Sequence, residues 1–128
     1  MRMRALIVAG PALLAGCGVS DDRRQVRDTA EAFLAAVQRG DGRSACQRLA
    51  PPTSEALVEK EREPCQRAVV GLRLSGGRAG RVEVFQTSAS VSFAGELVYL
   101  DRRAGAWRVS AAGCRPGPQA PARCEIED

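Results

Sequence analysis

The spacing of apolar residues changes once along this chain, and that change restricts the possible folds more than any other feature. Up to about residue 71, apolar residues recur at helical intervals. From residue 81 onward they alternate with polar residues, as in strands that bury one face. Helices that all precede the strands are typical of the α+β class, because α/β folds interleave the two. The sequence therefore predicts N-terminal helices packed on a curved antiparallel sheet.

The first half of the chain contains four candidate helices. The first begins near Asp21 or Asp22, either of which can cap it, and ends at Gly40-Asp41-Gly42. A second spans residues 43–49 and is ended by Pro51-Pro52. A third is capped by Thr53 or Ser54, and a fourth takes Pro64 as its first residue. The apolar face of the first helix recurs at offsets of 4, 7, 8 and 11 residues and consists of Val26, Ala30, Phe33, Leu34 and Val37.

Four candidate strands follow, at residues 81–86, 89–93, 96–102 and 106–112. Glycine-containing turns separate the last three, which indicates an antiparallel meander. The run Arg115-Pro116-Gly117-Pro118 cannot continue a sheet, because proline donates no backbone hydrogen bond. We expect the sheet and helices together to bury Phe33, Leu34, Val84, Val91, Phe93, Leu100 and Trp107.

The N-terminal segment has the features of an export signal. Arg2 and Arg4 precede an apolar run, residues 5–15, which is much shorter than the roughly 20 residues of a membrane span. The run closes with Leu14-Ala15-Gly16-Cys17, which resembles the lipobox of bacterial lipoproteins. The resemblance implies a signal peptide at 1–16, a lipidated Cys17 with a short spacer at 17–21, and a single domain at 22–128. The protein would then be exported and anchored to the outer face of the cytoplasmic membrane. An ordinary secretory signal cut near Ala15 is the alternative.

The sequence contains five cysteines. Assigning Cys17 to lipid leaves Cys46, Cys65, Cys114 and Cys124, an even number that suggests two disulfides in an exported protein. Three pairings are possible. We favour Cys46–Cys65 and Cys114–Cys124, because both close short loops and the second would hold the proline-rich tail. A zinc site is not indicated, since the chain has neither a histidine nor a Cys-x-x-Cys pair.

Composition narrows the function classes. The absence of histidine excludes a Ser-His-Asp triad and removes the commonest general base. The formal charge of +4 falls to +2 once Arg2 and Arg4 are removed, which does not indicate a nucleic-acid partner. Arg23, Arg24 and Arg27 are interleaved with aspartates, which indicates a solvated helix face more than an anionic partner. We expect no cofactor and no metal.

The order of elements resembles the cone-shaped fold of the nuclear-transport-factor-2-like and ketosteroid-isomerase-like superfamily. More closely, residues 107–114, together with Cys124-Glu125-Ile126-Glu127, resemble a group of small actinobacterial exported lipoproteins of that fold. The resemblance implies a pocket between the curved sheet and the first helices. It assigns no activity, because the fold serves enzymes and binding proteins alike.

Tyr99 and Asp101 are the best candidates for chemistry, with Glu83 on a neighbouring strand. Residues two apart on a strand share a face, and a carboxylate base beside a tyrosine donor is the arrangement of ketosteroid isomerase. The simpler interpretation is that Tyr99 is a core or rim aromatic and that Asp101 leads into a turn. We therefore expect a non-catalytic domain that binds a small apolar ligand or an envelope protein. A pocket enzyme of isomerase or dehydratase type, and a purely structural envelope protein, are the alternatives.

Overall fold

The computed structural model describes Gly10, residues 18–116 and residues 123–128. Cys17 and, apart from Gly10, the predicted signal peptide lie outside the described residues. Among the described residues every helix precedes every strand, which confirms the predicted α+β class. In chain order the elements are α1 (Val19–Gln38), α2 (Gly42–Gln47), α3 (Pro51–Glu61), α4 (Cys65–Ala68), a 3-10 turn (Val69–Gly71), β1 (Val82–Phe85), β2 (Ser88–Phe93), β3 (Glu96–Arg103), β4 (Ala106–Cys114) and β5 (Ile126–Glu127).

Helix α1 begins earlier than its sequence suggests. Its N-cap is Gly18, and Asp21 and Asp22 lie inside its first turn. Both carboxylates can interact favourably there with the positive end of the helix dipole. Residues 19–21, which the sequence assigns to a spacer, are therefore helical.

The proline pair at the start of α3 has a different role from the predicted one. Pro51 and Pro52 occupy the first helical positions after the N-cap Ala50, where a missing N–H costs nothing. Thr53 consequently lies within the helix instead of capping it. Its side chain is fully buried, and its hydroxyl donates a hydrogen bond of 2.9 Å to the carbonyl of Ser110. Pro64 is likewise the N-cap of α4 and not its first residue.

The sheet has the order β1-β2-β3-β4-β5, and every pair is antiparallel. Strand β5 is absent from the sequence prediction, because two residues are too few to show a period. It pairs Glu127 with Ala111 and Ile126 with Ala112, and so returns the tail to the sheet. Strand β4 ends at Cys114, directly before the proline-rich run.

Helix α1 packs against the inner face of the sheet. Its predicted apolar face is buried throughout, with Phe33 fully inaccessible. Leu100 and Val109 lie opposite each other on β3 and β4 and are also fully inaccessible. Of the predicted core residues only Val84, on β1, is half-buried. The helices and the sheet thus share one apolar core.

Strand β4 is irregular at two places. Its pairing with β3 shifts between Tyr99 and Leu100, which leaves Ser110 as an extra residue on β4. A second shift, opposite Val98, includes Gly113, whose φ of +67° is a conformation that glycine adopts without strain. A side chain at Gly113 would also collide with Leu74 and Glu125. Extra residues of this kind bend a strand and increase its twist.

Both predicted disulfides are present. Cys46–Cys65 joins α2 to α4, and Cys114–Cys124 joins the end of β4 to the tail. The pairing expected from the short loops is therefore confirmed. The described helices include none that is long and apolar enough to cross a membrane.

Candidate functional site

The outer face of the sheet, which points away from α1, carries the exposed aromatic side chains of the sheet. Side chains alternate along β3, so that Val98 and Leu100 point to the core while Tyr99 and Asp101 point outward. Tyr99 is 37% exposed, and Phe85 on β1 is 62% exposed. Both lie beside serines of β2, since Phe85 pairs with Ser88 and Tyr99 pairs with Ser90.

The strand register explains why these side chains lie together. Ser90 on β2 pairs with both Glu83 and Tyr99. In the next row toward the β1–β2 turn, Ser88 pairs with Phe85 on one side and with Asp101 on the other. The serines on β2 are small, so the aromatic rings on either side of them border a depression.

That depression is an open groove of about 470 Å³, which we call the outer groove. Small side chains and two aromatic rings line most of it. Three acidic residues, Asp101, Glu127 and Asp128, also line it, and Asp101 is paired with Arg103. Its full lining consists of Phe85, Ser88, Ala89, Ser90, Tyr99, Leu100, Asp101, Ser110, Ala111, Cys124, Glu127 and Asp128.

The structure brings two of the three sequence candidates into the outer groove. Tyr99 and Asp101 share one face, as predicted, and both line it. The Asp101 side chain is 33% exposed and lies 3.5 Å from the guanidinium of Arg103. Glu83 lines an adjoining depression of about 660 Å³ instead, where it lies 3.4 Å from Arg81. The three groups occupy the outer sheet surface, whereas the resemblance implies a pocket between sheet and helices.

The sequence analysis did not identify Phe85, Ser88 or the tail as part of this site. The position of Phe85 could have been predicted from the sequence, because Phe85 alternates with valines that point inward and must therefore point outward. The tail residues had none, since their position depends on β5 and on the Cys114–Cys124 disulfide.

Two further features bear on the chemistry. Within the described part of the chain, no group of three or more histidine, cysteine, aspartate or glutamate side chains is placed to hold a metal ion. The buried carboxylate Glu96 lies at the far end of β3 and accepts a 2.9 Å hydrogen bond from the backbone N–H of Ser75. Glu96 also lies 3.4 Å from Arg115, so its contacts are structural and it does not line the outer groove.

Comparison with known proteins gives no assignment for this arrangement. No protein-family model matches the chain, and no curated protein or solved structure is significantly similar to it.

Proposed function

We propose that this protein is an exported lipoprotein, anchored to the outer face of the cytoplasmic membrane through Cys17, whose domain binds a protein of the cell envelope. The observation that carries the binding part is the outer groove, with Tyr99 and Phe85 exposed beside it. We also propose that the fold belongs to the cone-fold superfamily named above. The order of elements and the bulges in β4 support that assignment.

The anchor is supported by the N-terminal motif and by the cysteine count. Four of the five cysteines form the two disulfides, so Cys17 remains as the fifth. Stable disulfides are characteristic of compartments outside the cytoplasm. Two or more acyl chains on one residue would hold the protein firmly, since each buried methylene contributes about 0.8 kcal/mol.

Binding fits the outer groove better than catalysis does. A carboxylate that acts as a base in the manner of ketosteroid isomerase works in an apolar site from which water is excluded. Asp101 is instead partly exposed and ion-paired with Arg103, and Tyr99 is more than one-third exposed. The groove does not provide the enclosure that such chemistry needs.

A protein partner fits better than a small apolar ligand. Small-molecule sites bury 70–90% or more of the ligand, which requires a cleft or cavity. The outer groove is open along the sheet, and exposed tyrosine and phenylalanine side chains are typical anchors of protein interfaces. The carboxylates of Asp101, Glu127 and Asp128 favour a partner segment that carries basic side chains.

Site-specific photocrosslinking in cells tests the partner. A photoreactive amino acid would replace Tyr99 in the full chain, and the control would carry it at Val58 on α3, which is 39% exposed. We expect a discrete protein adduct from position 99 and not from position 58, and we expect Asp101→Lys to reduce it. Equal adducts from both positions, or none from position 99, would contradict the proposal. Native mass spectrometry that detects a bound small molecule would instead favour a ligand-binding protein.

Fatty-acid labelling tests the anchor separately. The full chain should incorporate labelled palmitate, and the Cys17→Ser variant should not. Unchanged labelling in Cys17→Ser would show that Cys17 is not the lipid site.

A further inference from the structure

The N-terminal end of α1 is fixed to the domain from its first turn. The indole N–H of Trp107 donates to a carboxylate oxygen of Asp22 at 3.4 Å, and Arg102 lies 3.5 Å from the same oxygen. One turn later Val26 is fully buried. The start of α1 therefore keeps its position relative to the sheet.

The proposed anchor lies very close to this fixed point. Cys17 directly precedes Gly18, the N-cap of α1, and the first helical residue is Val19. Two residues span at most about 7 Å even when fully extended. This step rests on the proposed lipidation of Cys17. If it holds, the first turn of α1 lies close to the membrane surface.

The same end of the domain includes two turns of the sheet. The backbone N–H of Arg102 donates to the carbonyl of Thr87 at 2.8 Å, so the β1–β2 turn lies beside the end of β3. Arg102 contacts Asp22 of α1, as described above. The three features together form one surface, which we call the proximal surface: the first turn of α1, Gln86-Thr87, and Arg102 to Gly105.

The opposite end of the domain is well separated from the proximal surface. Gln38 at the end of α1 packs against Gly76, and the adjacent Ser75 binds Glu96 at the start of β3. The β2–β3 turn, Ala94-Gly95, directly precedes Glu96. Eight residues of β3 separate this turn from Ala104, which is roughly 26 Å at about 3.3 Å per residue.

We propose that the proximal surface rests on the phospholipid headgroups, with the guanidinium groups of Arg102 and Arg103 contacting their phosphates. Each of these side chains is 42% exposed. Their ion pairs with Asp22 and Asp101 are 3.5 Å long and partly solvated, so they compete weakly with a phosphate. A guanidinium can bind phosphate through two parallel hydrogen bonds. In this orientation the outer groove opens sideways, within reach of a partner held in or near the same membrane.

Quenching by headgroup-labelled lipid tests the orientation, with a matched pair of reporter sites. Ala94 and Ala104 are both exposed and both precede glycine in a turn, but they lie at opposite ends of β3. Ala94→Cys and Ala104→Cys would each be made in the full chain, expressed with its signal peptide and labelled with a fluorophore. The protein would be reconstituted into vesicles of phosphatidylcholine and phosphatidylglycerol that carry a headgroup nitroxide. Thr87→Cys serves as a second proximal reporter if Ala104→Cys fails to fold.

We expect the Ala104 or Thr87 label to be quenched at least about threefold more strongly than the Ala94 label, given the length of β3 that separates them. Replacing both Arg102 and Arg103 with glutamine should reduce that ratio while the protein still floats with the vesicles. Mass spectrometry of Cys17 distinguishes a failure of the lipid anchor from a failure of the proposed orientation. An unacylated Cys17 would overturn the anchor and the orientation together. An acylated protein whose two ends are quenched equally would overturn the orientation alone.

Discussion

The hydrogen bond between Thr53 and Ser110 provides a sharp test of how the helices are joined to the bulged strand. Thr53 is fully buried, and its hydroxyl donates at 2.9 Å to the carbonyl of the extra residue on β4. Thr53→Val keeps the shape of the side chain and removes only the donor. If the hydroxyl were irrelevant, the more apolar valine would leave stability unchanged or increase it.

The expected cost follows from the burial of this pair. A buried intramolecular hydrogen bond contributes about 0.5–1.5 kcal/mol, and leaving a buried acceptor unpaired costs about 1–3 kcal/mol. We therefore expect Thr53→Val to lower the free energy of unfolding by about 1–3 kcal/mol. For a domain of this size that corresponds to a fall in Tm of roughly 4–15 °C. Thr53→Ser keeps the donor and loses a methyl group, for about 1 kcal/mol.

Urea titration and thermal circular dichroism, both with the disulfides intact, measure these differences in a Cys17→Ser background. Thr87→Val is the matched control, because Thr87 is exposed in the β1–β2 turn. It should change stability by less than about 0.5 kcal/mol. A Thr53→Val protein as stable as the parent would refute the assigned role of this hydrogen bond.

Three further predictions concern the framework around the site. Gly42→Ala should lower the free energy of unfolding by about 1–3 kcal/mol or more in urea titrations, because an added Cβ would overlap the backbone carbonyl of Gln66. An unchanged midpoint would show that α2 and α4 can move apart at little cost. The pKa of Asp41 is lowered, chiefly by the hydrogen bond from the backbone N–H of Ser44 and also by Arg39. The ionised Asp41 therefore stabilises the fold fully above its ordinary pKa of 3.8, and this contribution is lost as the pH falls through the lowered pKa. Tm measured from neutral pH down to about pH 2 should therefore fall more steeply for the parent than for Asp41→Asn, and parallel curves would contradict this. Replacing both Cys114 and Cys124 with alanine should lower the free energy of unfolding by about 2–3 kcal/mol, given the 10-residue separation that the disulfide closes. Amide hydrogen exchange at β5 should become faster, and unchanged exchange would mean that strand pairing with β4 is enough to hold the tail.

Much of the fold follows from local patterns. The buried face of α1 is readable because five apolar residues recur at the helical period, and β2 to β4 are readable because their side chains alternate between glycine turns. The boundaries of α1 and α3 were harder to predict from the sequence. Asp21 is compatible with a cap or with a first turn, and Pro51 with the end of one helix or the start of the next, and only the packed structure selects between them.

The candidate site was predictable only in part. Residues two apart on a strand must share a face, so the sequence was sufficient to place Tyr99 and Asp101 together. The predicted burial of Leu100, which lies between them on the strand, already directs both side chains to the opposite face, away from the core. The sequence did not show that this face would border an open groove, because the other walls of the groove come from β1, β2 and the tail.

The sequence by itself determined the α+β class, the even number of cysteines that remain after Cys17, and the pairing that short loops favour. These properties depend on period and on separation along the chain. Only the tertiary structure decided the extra residue at Ser110, the return of the tail as β5, and the groove that Tyr99, Ser88 and Glu127 share. Such features arise where segments far apart in sequence meet, and no local pattern encodes the register in which they do so.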